Sequence, residues 1–285
     1  MKKLFSHSSR TLLLLLAGLA FLPACEDQQH EEAIEPTFTR PQPVYGAVPE
    51  IVKDQFTSLQ FDVSDIAMIG ENYLLEGDIM VTPEALNNLL AFQDELTNPE
   101  NGRTDQYRTF NLVSRNLQTI RIRPTSNQTR FIRAIDRAIF NYNQLGLTFT
   151  MVRVAANQAA EITVRLTSGQ GFLGSAGFPT GNGLPWNDIL IDASAFSGDD
   201  DFAEQTVTHE IGHCLGLRHS DWYNRSLSCG QGGNEEEPPS GVGAVGIPGT
   251  VQFDRESLMN SCGAITSDPS GEFSFYDRRA LQTLY

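Results

Sequence analysis

The chain has 285 residues, and 35 acidic side chains against 20 lysines and arginines give it a formal charge of −15. That balance excludes nucleic acid as the main partner, because phosphate binding needs clustered Lys and Arg. A hydrophobic share of 40% is enough for a globular core, and four cysteines are too few for a disulfide-dense scaffold of this length.

Residues 1–25 read as an export signal. Lys2, Lys3 and Arg10 precede an apolar run over 12–22, too short to span a bilayer as a mature helix. The run ends in Leu22-Pro23-Ala24-Cys25, which resembles the bacterial lipobox. The resemblance implies a lipoprotein acylated at Cys25 and anchored to a membrane of the bacterial cell envelope, with the outer membrane as the expected site. Removing 1–25 takes away three positive charges and no negative one, so the mature chain carries −18. An exported chain also meets an oxidising compartment, where disulfides persist.

Residues 26–49 are rich in Glu, Gln and Pro and read as a flexible tether. Residues 50–102 form a denser N-terminal region. Residues 73–81 predict a strand interrupted by a turn. Thr82-Pro83-Glu84 then opens a helix, with Thr82 as N-cap and Pro83 in the first turn, and Leu86, Leu89, Leu90 and Leu96 supply its apolar stripe. Residues 103–285 carry an αβ pattern. Strands are predicted over 117–122, 147–154, 162–166 and 188–191. The clearest amphipathic helix is predicted over 128–145, with Phe131, Ile135, Ala138, Ile139 and Tyr142 on one face and Gly146 after its end. Residues 169–183 are Gly-rich and loop-like, and no internal repeat is visible.

The segment that decides the chemistry is His209-Glu210-Ile211-Gly212-His213-Cys214-Leu215-Gly216-Leu217-Arg218-His219. Residues four apart share a helix face, so His209 and His213 can grip one Zn²⁺. Val207, Ile211, Cys214 and Leu215 fall within an arc of about 100°, with the histidines nearly opposite. Gly216 permits a left-handed turn that ends the helix, and His219 can then supply a third nitrogen. Three protein ligands leave an open position, as catalytic zinc requires. Glu210 flanks the ligand face, where it can take a proton from zinc-bound water. Cys214 points to the core side and reads as a small buried thiol.

This pattern is the metzincin signature. Such proteins carry a methionine turn beneath the metal, and Ser257-Leu258-Met259-Asn260-Ser261 resembles it, with Met259 packing under the histidines. Together with Arg218-His219-Ser220-Asp221-Trp222, Gly246-Ile247-Pro248-Gly249-Thr250 and Leu258-Met259-Asn260-Ser261-Cys262, the motif is similar to the bacterial dual-action HEIGH metallopeptidases over roughly 73–285. The resemblance implies an α+β, metzincin-like (zincin) domain. Its parts are a mixed, mostly parallel sheet, an active-site helix and a small C-terminal subdomain with the Met-turn. The activity it implies is that of a zinc metalloendopeptidase acting on extracytoplasmic proteins or peptides. Ser274-Phe275-Tyr276-Asp277 is a capping-box-like start for a closing helix that carries Ala280, Leu281 and Leu284.

By the same resemblance, Gly174, Ser175, Ala176, Gly177 and Phe178 belong to an antiparallel edge strand over the cleft, to which an extended substrate adds. Astacin-like relatives have a tyrosine two residues after the methionine; Ser261 stands there in this chain. Leu75-Glu76-Gly77-Asp78-Ile79 resembles the FxGD element of astacin pro-segments, with Leu in place of Phe, which makes Asp78 a candidate latency switch and 50–102 a pro-like region. An ordinary Gly-Asp turn is the competing reading. Cys229 and Cys262 are candidates for a disulfide. Asp199-Asp200-Asp201 and Glu235-Glu236-Glu237 are candidate Ca²⁺ ligands or simply solvated charge. Two other function classes stay open: a catalytically idle, zinc-containing surface-binding lipoprotein, and a hydrolase of a non-protein amide.

Overall fold

The computed structural model describes residues 48–59, 61, 63–91, 106–230, 244–264 and 270–285, all within the unit Pro41–Tyr285. The leader, Cys25, nearly all of the tether, Leu96 and Glu235–Glu237 fall outside the described residues. Among the described residues no helix is long and apolar enough to cross a membrane.

The N-terminal region contributes α1 (Glu50–Ser58), β1 (Ala67–Ile69), β2 (Asn72–Leu75), β3 (Ile79–Val81) and α2 (Pro83–Ala91). The start of α2 matches its sequence signal: Thr82 Oγ1 accepts from the Ala85 amide at 3.0 Å, and Pro83 occupies the first turn. Phe56, Leu59 and Phe61 pack against Leu75, Ile79 and Val81, so α1 is fastened to the β2–β3 hairpin by apolar burial.

Then come β4 (Tyr107–Arg108), β5 (Thr119–Pro124), α3 (Thr129–Asn143), β6 (Thr150–Arg153), β7 (Ile162–Thr167), β8 (Gly174–Gly177) and β9 (Asp188–Asp192). The chain closes with α4 (Asp200–Cys214), α5 (Ser226–Cys229), β10 (Val245–Gly246) and α6 (Phe275–Leu284). β5 begins two residues later than its sequence pattern suggests. The Leu117 amide is taken by a turn to the Ser114 carbonyl at 2.9 Å and cannot join the ladder. The strand expected over 147–154 narrows to β6. α3 ends as expected, with Gly146 at φ 67°. Ser274 and Asp277 cap α6 reciprocally, each side chain accepting from the other's backbone amide.

Eight strands form one mixed sheet in the order β1-β2-β3-β8-β9-β7-β5-β6. The pairs β3/β8, β5/β6, β5/β7 and β7/β9 are parallel; β1/β2, β2/β3 and β8/β9 are antiparallel. This is the α+β, mixed and mostly parallel arrangement expected from the sequence. Ile120, Ile122, Ile135, Val207, Ile211, Leu215 and Leu281 meet in the main core, which places the histidine-bearing helix α4 against α3, the sheet and α6.

Two sequence expectations are corrected by the topology. β8 pairs antiparallel with β9 as anticipated, but it is not an edge. β3 lies along its other side, with Ile79 opposite Ala176 and Met80 opposite Gly177. Phe178 lies beyond the strand, and its ring meets the His213 ring edge-on at 5.7 Å. The N-terminal region joins this sheet, which three of its strands extend.

Candidate metal centre and active site

α4 starts where Asp199 Oδ1 accepts from the Phe202 amide at 2.8 Å. Its core side is as drawn from the sequence: Val207, Ile211, Cys214 and Leu215 are all fully buried. Burial raises the Cys214 thiol well above its usual range, so it stays protonated and is a packing residue. Gly216 adopts φ 97° and turns the chain back. The next residues bring His219 to the other two histidines.

Each ring is held from behind. His209 Nδ1 donates to the Leu258 carbonyl at 2.7 Å, and His213 Nδ1 donates to the Leu217 carbonyl at 2.8 Å. His219 Nδ1 donates to Glu76 Oε2 at 3.1 Å. All three Nε2 atoms therefore face one centre. His213 Nε2 stands 3.0 Å from His209 Nε2, and His219 Nε2 stands 3.3 Å from it. Asp78 Oδ2 completes the set, 3.1 Å from His219 Nε2 and 3.3 Å from His209 Nε2.

These four groups fit a zinc ion. Ligand atoms about 2.05 Å from a tetrahedral ion lie about 3.3 Å from one another, close to the four distances found, and the whole set lies within 4.8 Å. A carbonyl can only accept, so His209 and His213 each commit Nδ1 as the donor and leave Nε2 to face the shared centre, the two Nε2 atoms 3.0 Å apart. Burial, and then the charges of His209 and His219, hold His213 well below the usual imidazole range, which keeps it neutral and able to ligate. Three imidazoles with one carboxylate are a zinc-type donor set.

Asp78 reaches this point from the turn between β2 and β3. Its backbone carbonyl accepts from the Ala176 amide and from Ser175 Oγ, both at 2.9 Å, so β8 fixes it. Burial acts to raise the Asp78 carboxyl. The charge of His219 and the hydrogen bonds from His209 and His219 outweigh it and hold the group ionised, far below the usual carboxylate range. Burial opposes charge on His219, but Asp78 and Glu76 raise it to about 10.

Glu210 is buried beside the cluster, with its carboxylate resting on β8 at Gly174. A Cβ on Gly174 would lie 2.7 Å from Glu210 Cδ and 2.8 Å from Cγ. Glu210 Oε2 has no hydrogen-bond partner among the described residues. Burial, and then the charge of Asp78, push the Glu210 carboxyl well above the ordinary range, as suits a group that exchanges a proton.

On the opposite side of α4, Met259 packs against Gly212, where an added Cβ would stand 2.5 Å from the Met259 sulfur. Cys229 and Cys262 form a disulfide. It ties the loop after His219 to the segment after Met259. Asp221 reinforces that tie by accepting from the Ser261 amide and hydroxyl, both at 2.9 Å. The acidic run at the start of α4 shows no cation site. Asp199 caps the helix, Asp200 pairs with Arg130 and Arg133, and Asp201 pairs with Arg137. The Tyr223 hydroxyl donates to the Gln252 carbonyl at 3.0 Å.

Sequence reasoning missed Glu76. It sits between Leu75 and Gly77, is 1% exposed, and adopts φ 54°. That conformation costs a non-glycine residue about 1–2 kcal/mol. Its Oε1 accepts from Arg218 Nη2 at 2.6 Å while Oε2 accepts from His219. A charged residue set inside an apolar strand–turn pattern was the available signal.

Three solved structures are similar to this chain in outline. Myroilysin is 14% identical, with 59% of this chain and 92% of that chain covered, at a TM-score of 0.35. High choriolytic enzyme 1, a hatching enzyme zinc-protease from Oryzias latipes, is 14% identical, with 62% and 94% covered, at 0.38. Archaemetzincin from Methanopyrus kandleri is 12% identical, with 58% and 94% covered, at 0.31. No curated protein sequence matches significantly. The profile of one family matches residues 73–285, a span that holds the hairpin with Asp78, the three histidines and Glu210. The chain belongs to the dual-action HEIGH metallo-peptidases.

Proposed function

We propose that the chain is a zinc endopeptidase of the bacterial envelope, anchored through Cys25, and that the intact form holds itself latent. The observation that carries the reading is the juxtaposition of Asp78 with His209, His213 and His219 beside a buried Glu210 whose Oε2 has no hydrogen-bond partner among the described residues. Bound zinc supplies Lewis acidity where a peptide carbonyl is attacked. The protein's own groups do the rest. His209, His213 and His219 hold the ion. Glu210 takes the proton of the attacking water and returns it to the leaving amine, a role that its raised affinity for the proton supports.

Latency has two parts on this reading. The Asp78 carboxylate would hold the metal together with the three imidazoles. β3 takes the side of β8 to which an extended substrate would add, and the Asp78 carbonyl occupies the Ala176 amide. A catalytically idle zinc protein would have no need of Glu210, which supports the enzyme reading over that alternative.

Casein or gelatin cleavage tests the activity. Cleavage is expected to disappear with Glu210→Ala and with 1,10-phenanthroline, and to return when zinc is restored. No turnover on any peptide library, despite stoichiometric zinc, would refute the protease. Terminomics on a proteome digest, with Glu210→Ala as control, would give the cleavage preference. The anchor is tested separately: Cys25→Ser should abolish membrane association, and unchanged fractionation would refute it.

A further inference from the structure

The histidines are supported unequally. His209 and His213 lean on carbonyls of Leu258 and Leu217, which belong to the same part of the chain as the rings. His219 leans on a carboxylate delivered from 143 residues earlier. Glu76 is itself locked. Arg218 donates to its other oxygen at 2.6 Å, and both side chains of that pair are at 0% exposure. The Arg218 guanidinium is stacked 4.3 Å from the Phe61 ring and 5.5 Å from the Trp222 ring, so it cannot swing away. The left-handed backbone at Glu76 would suit glycine better. A large charged side chain is held there at a conformational cost, as happens where the side chain has work to do.

We infer that Glu76 is a positioning residue for the third metal ligand. With Arg218 holding it, its carboxylate accepts from His219 Nδ1, fixes the tautomer and ring angle, and turns Nε2 to the ion. The β2–β3 turn therefore does two opposed things to one ring. Asp78 meets its Nε2 edge and covers the site, while Glu76 meets its Nδ1 edge and builds the site. The family profile begins at Tyr73, so the span it matches includes this turn. The inference rests on the zinc reading above, but not on proteolysis.

The test uses the full-length chain and zinc itself. Zinc affinity is measured by competition with a chromophoric chelator, and the His219 Nδ1–H is followed in ¹H–¹⁵N spectra. Glu76→Gln combined with Arg218→Met removes both buried charges together, which spares the fold a lone buried ion. This double variant should lose roughly 10–100-fold in zinc affinity. Its zinc-free spectrum should show the His219 Nδ1–H exchanging with water, where the native chain keeps it on Glu76. Glu76→Asp keeps the charge but withdraws the carboxylate by one methylene, and gives the same readout if the double variant does not fold. Zinc affinity within about twofold of native in a folded Glu76 variant, with the His219 Nδ1–H still protected, would overturn the inference. A native chain that binds zinc but cleaves nothing would instead refute the endopeptidase and leave Glu76 in its place.

Discussion

Gly174 is the position where a single methyl group should separate catalysis from metal binding. It lies in β8, and the Glu210 carboxylate rests directly on its Cα. A Cβ there would stand 2.7 Å from Glu210 Cδ and 2.8 Å from Cγ. Ordinary carbon contacts are about 3.5–4.0 Å, so the carboxylate must retreat by about 1 Å. The group displaced is the end of a flexible side chain, so the fold is little affected. The three nearest atoms all belong to Glu210, so the strain falls first on that side chain and not on a metal ligand. A general base misplaced by about 1 Å costs on the order of 10²-fold, or about 2.7 kcal/mol of transition-state stabilisation. Gly174→Ala should therefore lower kcat/KM about 100-fold on a quenched-fluorescent peptide while zinc content stays at one per chain. Asp78→Asn serves as the common background, so that latency does not mask the difference. Loss of zinc together with activity, or activity within about threefold of the background, would refute the placing of Glu210 against β8 as the catalytic arrangement.

Asp78→Asn should itself raise the peptidase activity of the intact chain by at least about tenfold, since a tethered ligand acts at millimolar effective concentration. Activity unchanged from native on the same peptide would remove Asp78 as a switch. Replacing Cys229 and Cys262 by serine opens a link across a 33-residue separation, and loop-closure entropy puts the loss at about 4 kcal/mol, read from urea unfolding. A loss under about 1 kcal/mol would mean that the Asp221 hydrogen bonds already hold that loop. Gly212→Ala forces a methyl to within 2.5 Å of the Met259 sulfur and 3.4 Å of the Tyr142 hydroxyl. Overpacking there should destabilise the protein by about 1–3 kcal/mol, measured by urea unfolding, and wild-type stability would show that Met259 is not tightly packed under α4.

The parts legible in the sequence are those written in local periodicity. His209 and His213 share a face because they are four apart, and the opposite face is apolar at helical spacing, so both sides of α4 could be drawn before any coordinates. Thr82-Pro83 and Ser274–Asp277 announce helix starts through chemistry confined to four residues. Asp78 was visible only through a resemblance, since nothing in a Gly-Asp turn says what stands 141 residues away. Glu76 was missed for the same reason: its meaning lies in Arg218 and His219, and pairing across the chain leaves no periodic trace. α1 lacked a signal at its start, where Pro49 offers no side-chain cap. The strands flanking β8 were each foreseen, but strand order is not a local property, and so the covered edge came from the topology alone. Gly174 was read as part of a substrate-binding edge strand and Gly212 as a motif glycine. Both stand where another side chain needs the space that a Cβ would take.

The energetics of the β2–β3 turn bear on how such a latent form can open. Withdrawing the whole hairpin would strip Arg218 of Glu76, and a buried ion left without its partner costs about 3–5 kcal/mol. It would also expose Leu75, Ile79 and Val81, each buried to 2% or less. The ion pair alone limits the open population to about 10⁻² to 10⁻⁴. Asp78 is held more lightly. Its side chain is 15% exposed, and water could take the place it would hold at the metal. Moving that carboxylate aside therefore costs far less than lifting the strand that carries it. On this balance, relief of latency begins at Asp78 while Glu76 stays on His219, and the turn that covers the metal centre continues to support it after the cover has moved.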